Sequence, residues 1–276
     1  MLKTRIITAL VLLAVLLPVL YSANPIAFAL VLTLFFGAAI WEAFRLFNPH
    51  SSRALLISVC WTAAFGYAFF FAPQTRPLFW FAIGVLIWLL RLVPSLKLGL
   101  PPLASSGNTM LSLTYAVAIV ACFAAMVTLF RHSPAYLLSV MVLVWIADIG
   151  AYCAGKAFGK RKLAPSISPG KSWEGAIGGA IAVLLIATAS ILFGGPLLYD
   201  TFAVQLQARF GWAALVAMLV VLAAASVIGD LFESQLKRRA GVKDSSRLLP
   251  GHGGVLDRID ALIPVLPLAA LIDTWL

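Results

Sequence analysis

Seven carboxylates crowd two short stretches of this sequence. Asp230, Glu233, Asp244, Asp257 and Asp260 fall within residues 230–260, and Asp148 and Glu174 border a second stretch upstream. The same stretches hold Lys156, Lys160, Arg161, Lys162, Lys171, Lys237, Arg238, Arg239, Lys243, Arg247 and Arg258, eleven of the twenty basic residues. Carboxylate oxygens hold hard divalent cations, while Lys and Arg neutralise phosphoryl oxygens, so this mixture is what a metal–phosphate site needs. Structural ion pairs on solvated loops use the same residue types, and composition alone leaves the two readings level.

The order of the residues shifts the balance. In GDLFESQLKR, Asp230, Glu233, Ser234 and Lys237 are spaced i, i+3, i+4, i+7, one polar stripe on a helix. Arg238 follows directly. GVKDSSRLLPGHGG comes next, carrying Lys243 and Asp244 among Gly241, Pro250, Gly251, Gly253 and Gly254. These break the helix and let the backbone approach a ligand closely. VLDRID then puts Asp257 and Asp260 at i, i+3, with Arg258 between them. Two helix ends thus offer carboxylates across a glycine-rich turn. His252 stands between glycines on this polar loop, where it either serves the site or orders the loop.

The upstream stretch reads DIGAYCAGKAFGKRKLAPSISPGKSWEG. Asp148 and Tyr152 are i, i+4 at the end of an apolar run. Gly170–Lys171–Ser172 looks like the end of a phosphate-binding loop, but that motif needs G-x-x-x-x-G-K-[ST]. Its first position here is Pro165, and no strand is expected ahead of it. We therefore exclude a P-loop. Lys171 remains a phosphate-contact candidate as a point charge, against the plainer role of a membrane-surface lysine.

The elements that position these residues are greasy. Of 276 residues, 62% are apolar and 11% charged, with mean hydropathy +1.02. A soluble domain carries about 25% charged residues. Disorder, a disulfide-rich module, a coiled coil and a nucleic-acid-binding domain are excluded, which leaves an all-α polytopic membrane protein. Apolar runs near 6–22, 26–47, 54–72, 78–93, 109–130, 135–154, 175–194, 212–233 and 259–276 predict about nine transmembrane helices. No run shows the alternation of a membrane β-barrel. The first run is read as a span rather than a cleaved leader, because Tyr21 would sit at the −3 position of a cut after Ala23. Cys60, Cys122 and Cys153 lie apart in apolar runs and are expected to be small buried hydrophobes.

Nine spans fix the side of every loop. With the N-terminus in the cytoplasm, only Arg76, Arg131 and Arg209 fall outside, and the other seventeen Lys and Arg fall inside. This is a strong positive-inside bias, and it puts loops 155–174 and 234–258 in the cytoplasm. Residues 1–130 read as a transmembrane scaffold without a polar cluster, and 131–276 as the catalytic region. The acids gather on one side of the membrane rather than at its midplane, which favours an interfacial enzyme over a transporter.

Residues 234–260, SQLKRRAGVKDSSRLLPGHGGVLDRID, closely resemble the C-terminal signature of the phosphatidate cytidylyltransferase family. The run with Asp148, AYCAGKAFGKRKL and ISPGKSWEG is similar to that family too. The resemblance is detailed over about 145–180 and 226–264, and the first 130 residues match in hydropathy alone. It implies conversion of CTP and phosphatidate to CDP-diacylglycerol and pyrophosphate. The implied setting is the bacterial inner membrane, with the site facing the cytoplasm. The implied partners are CTP, phosphatidate in the bilayer and a second copy in a homodimer, with no nucleic acid. It also implies Mg2+ with K+ as a second ion, and a metal centre containing Asp230 and Asp257. Asp244, Asp260, Lys237, Arg238, Lys243, His252 and Arg258 match further signature positions. Asp148 and Asp260 are candidates for supporting the metal, and Lys171, Lys237, Arg238 and Lys243 for contacting phosphate. Ser234 and His252 are the side chains a covalent route would use, but the lipid phosphate, already anionic, is expected to attack the α-phosphorus of CTP directly in one in-line displacement. Another CTP-dependent membrane lipid transferase or kinase, and a lipid transporter, are the alternative readings.

Overall fold

The computed structural model describes residues 2–49, 53–71 and 77–276, with side chains for all of these except 2–6, 9 and 69–71. Arg76 and the side chains of Lys3 and Arg5, used above to orient the chain, lie outside the described residues. The helices are α1 (Leu2–Tyr21), α2 (Pro25–Phe47), α3 (Ala54–Phe71), α4 (Pro77–Ile87), α5 (Val93–Leu98), α6 (Ser106–His132), α7 (Pro134–Phe158), α8 (Trp173–Phe193), α9 (Phe202–Arg239), α10 (Leu256–Ile259) and α11 (Leu262–Asp273). A π-helical turn, Trp88–Leu92, joins α4 to α5 without a break. It lies one residue before Pro94, whose ring crowds the turn before it and which cannot donate a backbone hydrogen bond.

Six of these elements are long and apolar enough to cross a membrane: α2, the continuous α4–α5 (Pro77–Leu98), α6, α7, α8 and α9. The other three expected runs are helical but have shorter apolar stretches, Leu10–Tyr21, Ala54–Ala68 and Leu262–Asp273. The chain is a multi-pass membrane protein. Exposed Ile177, Ile181, Leu185 and Phe193 run down α8, and such a continuous apolar face belongs in lipid. The span expected at 212–233 is the inner part of a longer α9. Gly211, with φ 79°, kinks that helix and joins it to an amphipathic stretch that begins at Phe202.

Helix starts follow capping chemistry. Asn24 Oδ1 accepts from Ile26 N (2.9 Å) and Ala27 N (3.2 Å) ahead of α2. Ser133 Oγ accepts from Tyr136 N (3.1 Å) ahead of α7. Each cap precedes a proline, the residue best suited to the first helical position.

One region departs from the all-helical expectation. Strand β1 (Lys162–Ala164) pairs antiparallel with β2 (Ser168–Ser172), Lys162 opposite Ser172 and Ala164 opposite Ser168. Gly170–Lys171–Ser172 therefore lies on a strand rather than in a plain loop. Ser172 then caps α8 by accepting from Gly175 N at 3.1 Å.

The ends of the bundle are fixed by contacts remote in sequence. At one end Thr8 of α1 donates to Pro250 O (2.7 Å), Asn108 of α6 donates to Phe47 O (3.0 Å), and Arg239 of α9 donates to Pro101 O (3.0 Å). At the other, Asp200 receives Ser133 Oγ (2.5 Å) and lies 3.0 Å from His132 Nε2, whose Nδ1 is 3.6 Å from Asp273. α6 and α11 contribute heavily to the core, with Leu111, Ile119, Phe123, Leu129, Ile263 and Leu266 fully buried. Cys122 is buried as expected, but Cys60 and Cys153 are exposed, and all three are free. They sit on outward faces of apolar helices, where lipid replaces protein as the apolar surrounding.

α7 and α8 pack through small residues. A methyl group added at Gly178 would collide with Ala154, one at Gly179 would lie 2.5 Å from Ala147 O, and one at Gly150 would lie 2.6 Å from Ala182 Cβ. Small residues let helix backbones approach closely in membranes. Gly179→Val should therefore force the pair apart and lower stability by about 1–3 kcal/mol, the usual overpacking cost. Thermal unfolding in detergent checks this, with Gly170→Ala, where added atoms meet nothing within 4 Å, as the neutral control.

Candidate active site

The site grows from the end of α9. Ser234 donates to Asp230 Oδ1 at 3.2 Å, one turn away. Glu233 is fully buried, and its Oε2 lies 2.5 Å from Lys237 Nζ. The same ammonium reaches Asp257 Oδ1 at 2.6 Å. Lys237 thus ties the end of α9 to the start of α10 across the glycine-rich loop.

That loop folds by its glycines. Gly251 and Gly253 have φ of 76° and 83°, the left-handed region that favours glycine. Leu249 N donates to Gly253 O at 2.8 Å, closing a tight turn. A first side-chain carbon at Gly253 would sit 2.6 Å from Asp257 Oδ2. The space is used instead for hydrogen bonds: Asp257 Oδ2 accepts from Ser245 N (2.8 Å), Ser245 Oγ (2.8 Å) and Gly254 N (2.7 Å). Burial by itself would raise the Asp257 carboxyl, but Lys237 and the amides of Gly254 and Ser245 outweigh it. They hold the group below the usual carboxylate range. The resulting stability is complete above the ordinary Asp range and is lost as pH falls through the lowered value.

The hairpin closes the opposite wall. Lys171 on β2 reaches Asp230 Oδ2 at 2.6 Å. Arg238 donates to Ile167 O at 3.4 Å, which ties α9 to the hairpin turn. Glu174 at the start of α8 accepts from the backbone of Lys160 and Arg161 (both 3.1 Å). From α7, Asp148 Oδ1 lies 3.5 Å from Ser226 Oγ.

These elements enclose a polar cavity of about 680 Å3. Asp148, Lys171, Asp230, Ser234, Lys237, Arg238, Lys243, Asp244, Asp257, Arg258 and Asp260 all line it. His252 does not. It lines a second, largely apolar cavity of about 370 Å3 between α1, α2, α6 and α7. The two cavities share Asp148, Asp257, Arg258 and Asp260. The sequence reading names Tyr152 and Lys156 without giving them a role, and passes over Ser168 as a lining residue and Ser245 as a partner of Asp257. It also missed Glu42, a buried acid of α2 that accepts hydrogen bonds from the glycine-rich loop. A lone acid inside an apolar run was the available signal.

The comparison with known proteins matches the cytidylyltransferase family over residues 3–275. The phosphatidate cytidylyltransferase of Haemophilus influenzae is 39% identical to the chain over 287 aligned residues, covering 97% of this chain and 96% of that protein. The enzyme of that name from Pseudomonas aeruginosa is 38% identical, covering 98% and 96%. The chain belongs to the cytidylyltransferase family. The one from Brucella suis is 50% identical over 121 residues, 44% of this chain and 40% of that protein.

For a cytidylyltransferase the cavity's chemistry is apt, with cations for a polyphosphate facing carboxylates that suit a divalent metal. Among the described residues, no three metal-ligating side chains converge at metal spacing. The donor set is carboxylate oxygen throughout, which fits a hard cation that keeps water and substrate oxygens as its other ligands.

The two lysines differ in burial, and this separates their structural costs. Lys237 is 12% exposed, between carboxylates that are 0% and 4% exposed, whereas the Lys171–Asp230 pair is 25% and 34% exposed. Breaking a buried pair leaves uncompensated charge and costs about 3–5 kcal/mol, while an exposed pair is worth at most about 1 kcal/mol. Lys237→Met should lower the unfolding temperature steeply and Lys171→Met only slightly, as read by thermal denaturation of each purified variant.

Proposed function

We propose that the protein moves the cytidylyl group of CTP onto the phosphate of phosphatidate, giving CDP-diacylglycerol and pyrophosphate. The observation that carries this reading is the junction of the two cavities. A polar chamber rich in carboxylates and cations meets an apolar one at four shared residues, so the site suits a molecule with a phosphate head and hydrocarbon tails. The apolar cavity takes the acyl region of the lipid, and the polar cavity takes its phosphate and the nucleotide.

Phosphatidate's phosphate is already anionic, so its attack on the α-phosphorus of CTP needs no strong base. The obstacle is repulsion between anions and the charge that develops on pyrophosphate. Lys171, Lys237, Arg238, Lys243 and Arg258 supply positive charge around the cavity for this purpose. Asp230 and Asp257 would hold Mg2+, with K+ as a second ion, and Asp148, Asp244 and Asp260 would support them. A bound Mg2+ polarises phosphoryl oxygens and neutralises leaving-group charge. Ser234 faces Asp230 and His252 faces the apolar cavity. Neither is required as a nucleophile, so the transfer is one in-line displacement.

In the membrane the three shorter helices complete nine crossings. The loops around 155–174 and 234–258 face the cytoplasm of a bacterial inner membrane, the chain pairs as a homodimer, and residues 131–276 carry the chemistry on the 1–130 scaffold.

Purified protein given CTP, Mg2+ and phosphatidate should release CDP-diacylglycerol and pyrophosphate in equal amounts. Failure to make both would overturn the reading. Asp230→Asn and Asp257→Asn each remove a charged oxygen ligand, and each should abolish turnover while the protein still inserts. One diastereomer of CTP thiolated at the α-phosphorus should give product of inverted configuration, whereas retention would point to a covalent intermediate.

Sidedness has its own check. In a cysteine-free background, cysteines at Ser166 and Leu248 should be shielded from an impermeant thiol reagent added to intact cells. A cysteine at Leu197, at the opposite end and 89% exposed, should be labelled.

A further inference from the structure

Glu42 has no part in the chemistry described so far, yet it is among the most engaged acids in the protein. It sits near the end of α2, fully buried, about 200 residues from the loop it touches. Its Oε1 accepts from Ser246 Oγ (2.5 Å) and Val255 N (3.1 Å). Its Oε2 accepts from Leu256 N (2.6 Å) and lies 3.0 Å from Ser245 Oγ. One carboxylate therefore grips both strands of the glycine-rich loop, at 245–246 and at 255–256.

Two further observations show that the loop is shaped around it. A first side-chain carbon at Gly254 would collide with Ser245 Oγ and lie 2.5 Å from Glu42 Oε2. The Ser245 hydroxyl also lies 2.8 Å from Asp257 Oδ2, so a single oxygen bridges Glu42 to Asp257. Leu256, whose amide Glu42 fixes, is the residue immediately before Asp257.

We infer that Glu42 is a positioning residue of the cytidylyl-transfer site, setting the place of Asp257 and thereby the affinity for the divalent ion. This rests on the function proposed above and on Asp257 as a metal ligand. A carboxylate is needed because the Ser246 hydroxyl and the Val255 and Leu256 amides all donate to it, while the single Ser245 proton is shared with Asp257. In Glu42→Gln, whichever way the amide turns, its NH2 faces a backbone N–H, at Val255 or at Leu256, and one grip is lost. Hydrogen-bonding partners behind a metal ligand are commonly worth about 10–100-fold in metal affinity or activity.

The test compares wild type, Glu42→Gln, Ser246→Ala and Phe36→Leu. Phe36→Leu is a packing change in the buried core of the same helix that touches neither cavity. Two quantities are read: the Mg2+ concentration for half-maximal CTP turnover, and deuterium uptake of the peptide spanning 245–256 without metal or substrate. Glu42→Gln should speed exchange in that peptide and raise the Mg2+ half-saturation at least about tenfold. Ser246→Ala should move both in the same direction by less, and Phe36→Leu should move neither. If Glu42→Gln does not insert, Ser246→Ala carries the test, since it deletes one donor and no charge.

Unchanged Mg2+ dependence overturns the inference whether or not exchange changes. So does an equal shift in Phe36→Leu, which would mean that Glu42 serves stability alone. Absence of turnover in the wild type would sink the proposed function instead. The exchange measurement would then still report whether Glu42 orders the loop.

Discussion

A single ammonium group joins the parts of this site. Lys237 lies between Glu233 on its own helix and Asp257 across the glycine-rich loop, all three largely withdrawn from water. Attraction between such charges is strong where the dielectric is low, and so is the cost of leaving one unpaired. Asp257 Oδ1 meets Lys237, and its second oxygen accepts three hydrogen bonds from the nearby loop, two from Ser245 and one from Gly254. Ser245 in turn touches Glu42. The chain of contacts runs from α9 through α10 and the loop to α2, so three consecutive segments and one about 200 residues away share one electrostatic arrangement.

Around it the protein keeps two kinds of packing. The α7–α8 pair is close because its facing residues are small, and that pair carries Asp148 and the hairpin with Lys171. The α6–α11 region is filled with buried side chains such as Leu111, Phe123, Leu129, Ile263 and Leu266. The polar cavity is walled by α7, α8, α9 and the loop leading into α10, with the short hairpin closing the remaining side.

Much of this was legible in the sequence. The stripe of Asp230, Glu233, Ser234 and Lys237 follows from helical spacing alone, and the glycines that follow announce a turn. The apolar runs located the helices. Other features depended on partners far away in the chain. Glu42 looks like an isolated acid in an apolar run, and nothing beside it in sequence points to residues 245–256. The hairpin has strands of three and five residues, with prolines and a glycine, too short for any periodicity to show. His252 stands between glycines that invite a site reading, but the turn at Leu249–Gly253 directs it toward the apolar cavity. The extra length of α9 was hidden because Gly211 reads as a helix end, while here it serves as a kink.

The junction of the polar and apolar cavities has a kinetic consequence. A site built this way exchanges with two reservoirs of different dimension. Its apolar side meets molecules that diffuse in a plane and whose supply is counted as a fraction of the surface. Its polar side meets molecules that diffuse in a volume. Diluting the membrane with inert lipid starves one side and leaves the other untouched, while diluting the buffer does the reverse. A product that keeps its hydrocarbon tails stays in the plane, close to the site that made it, while the small anionic leaving group escapes into the third dimension. Departure of that group separates the two products, so reversal requires it to return from bulk water.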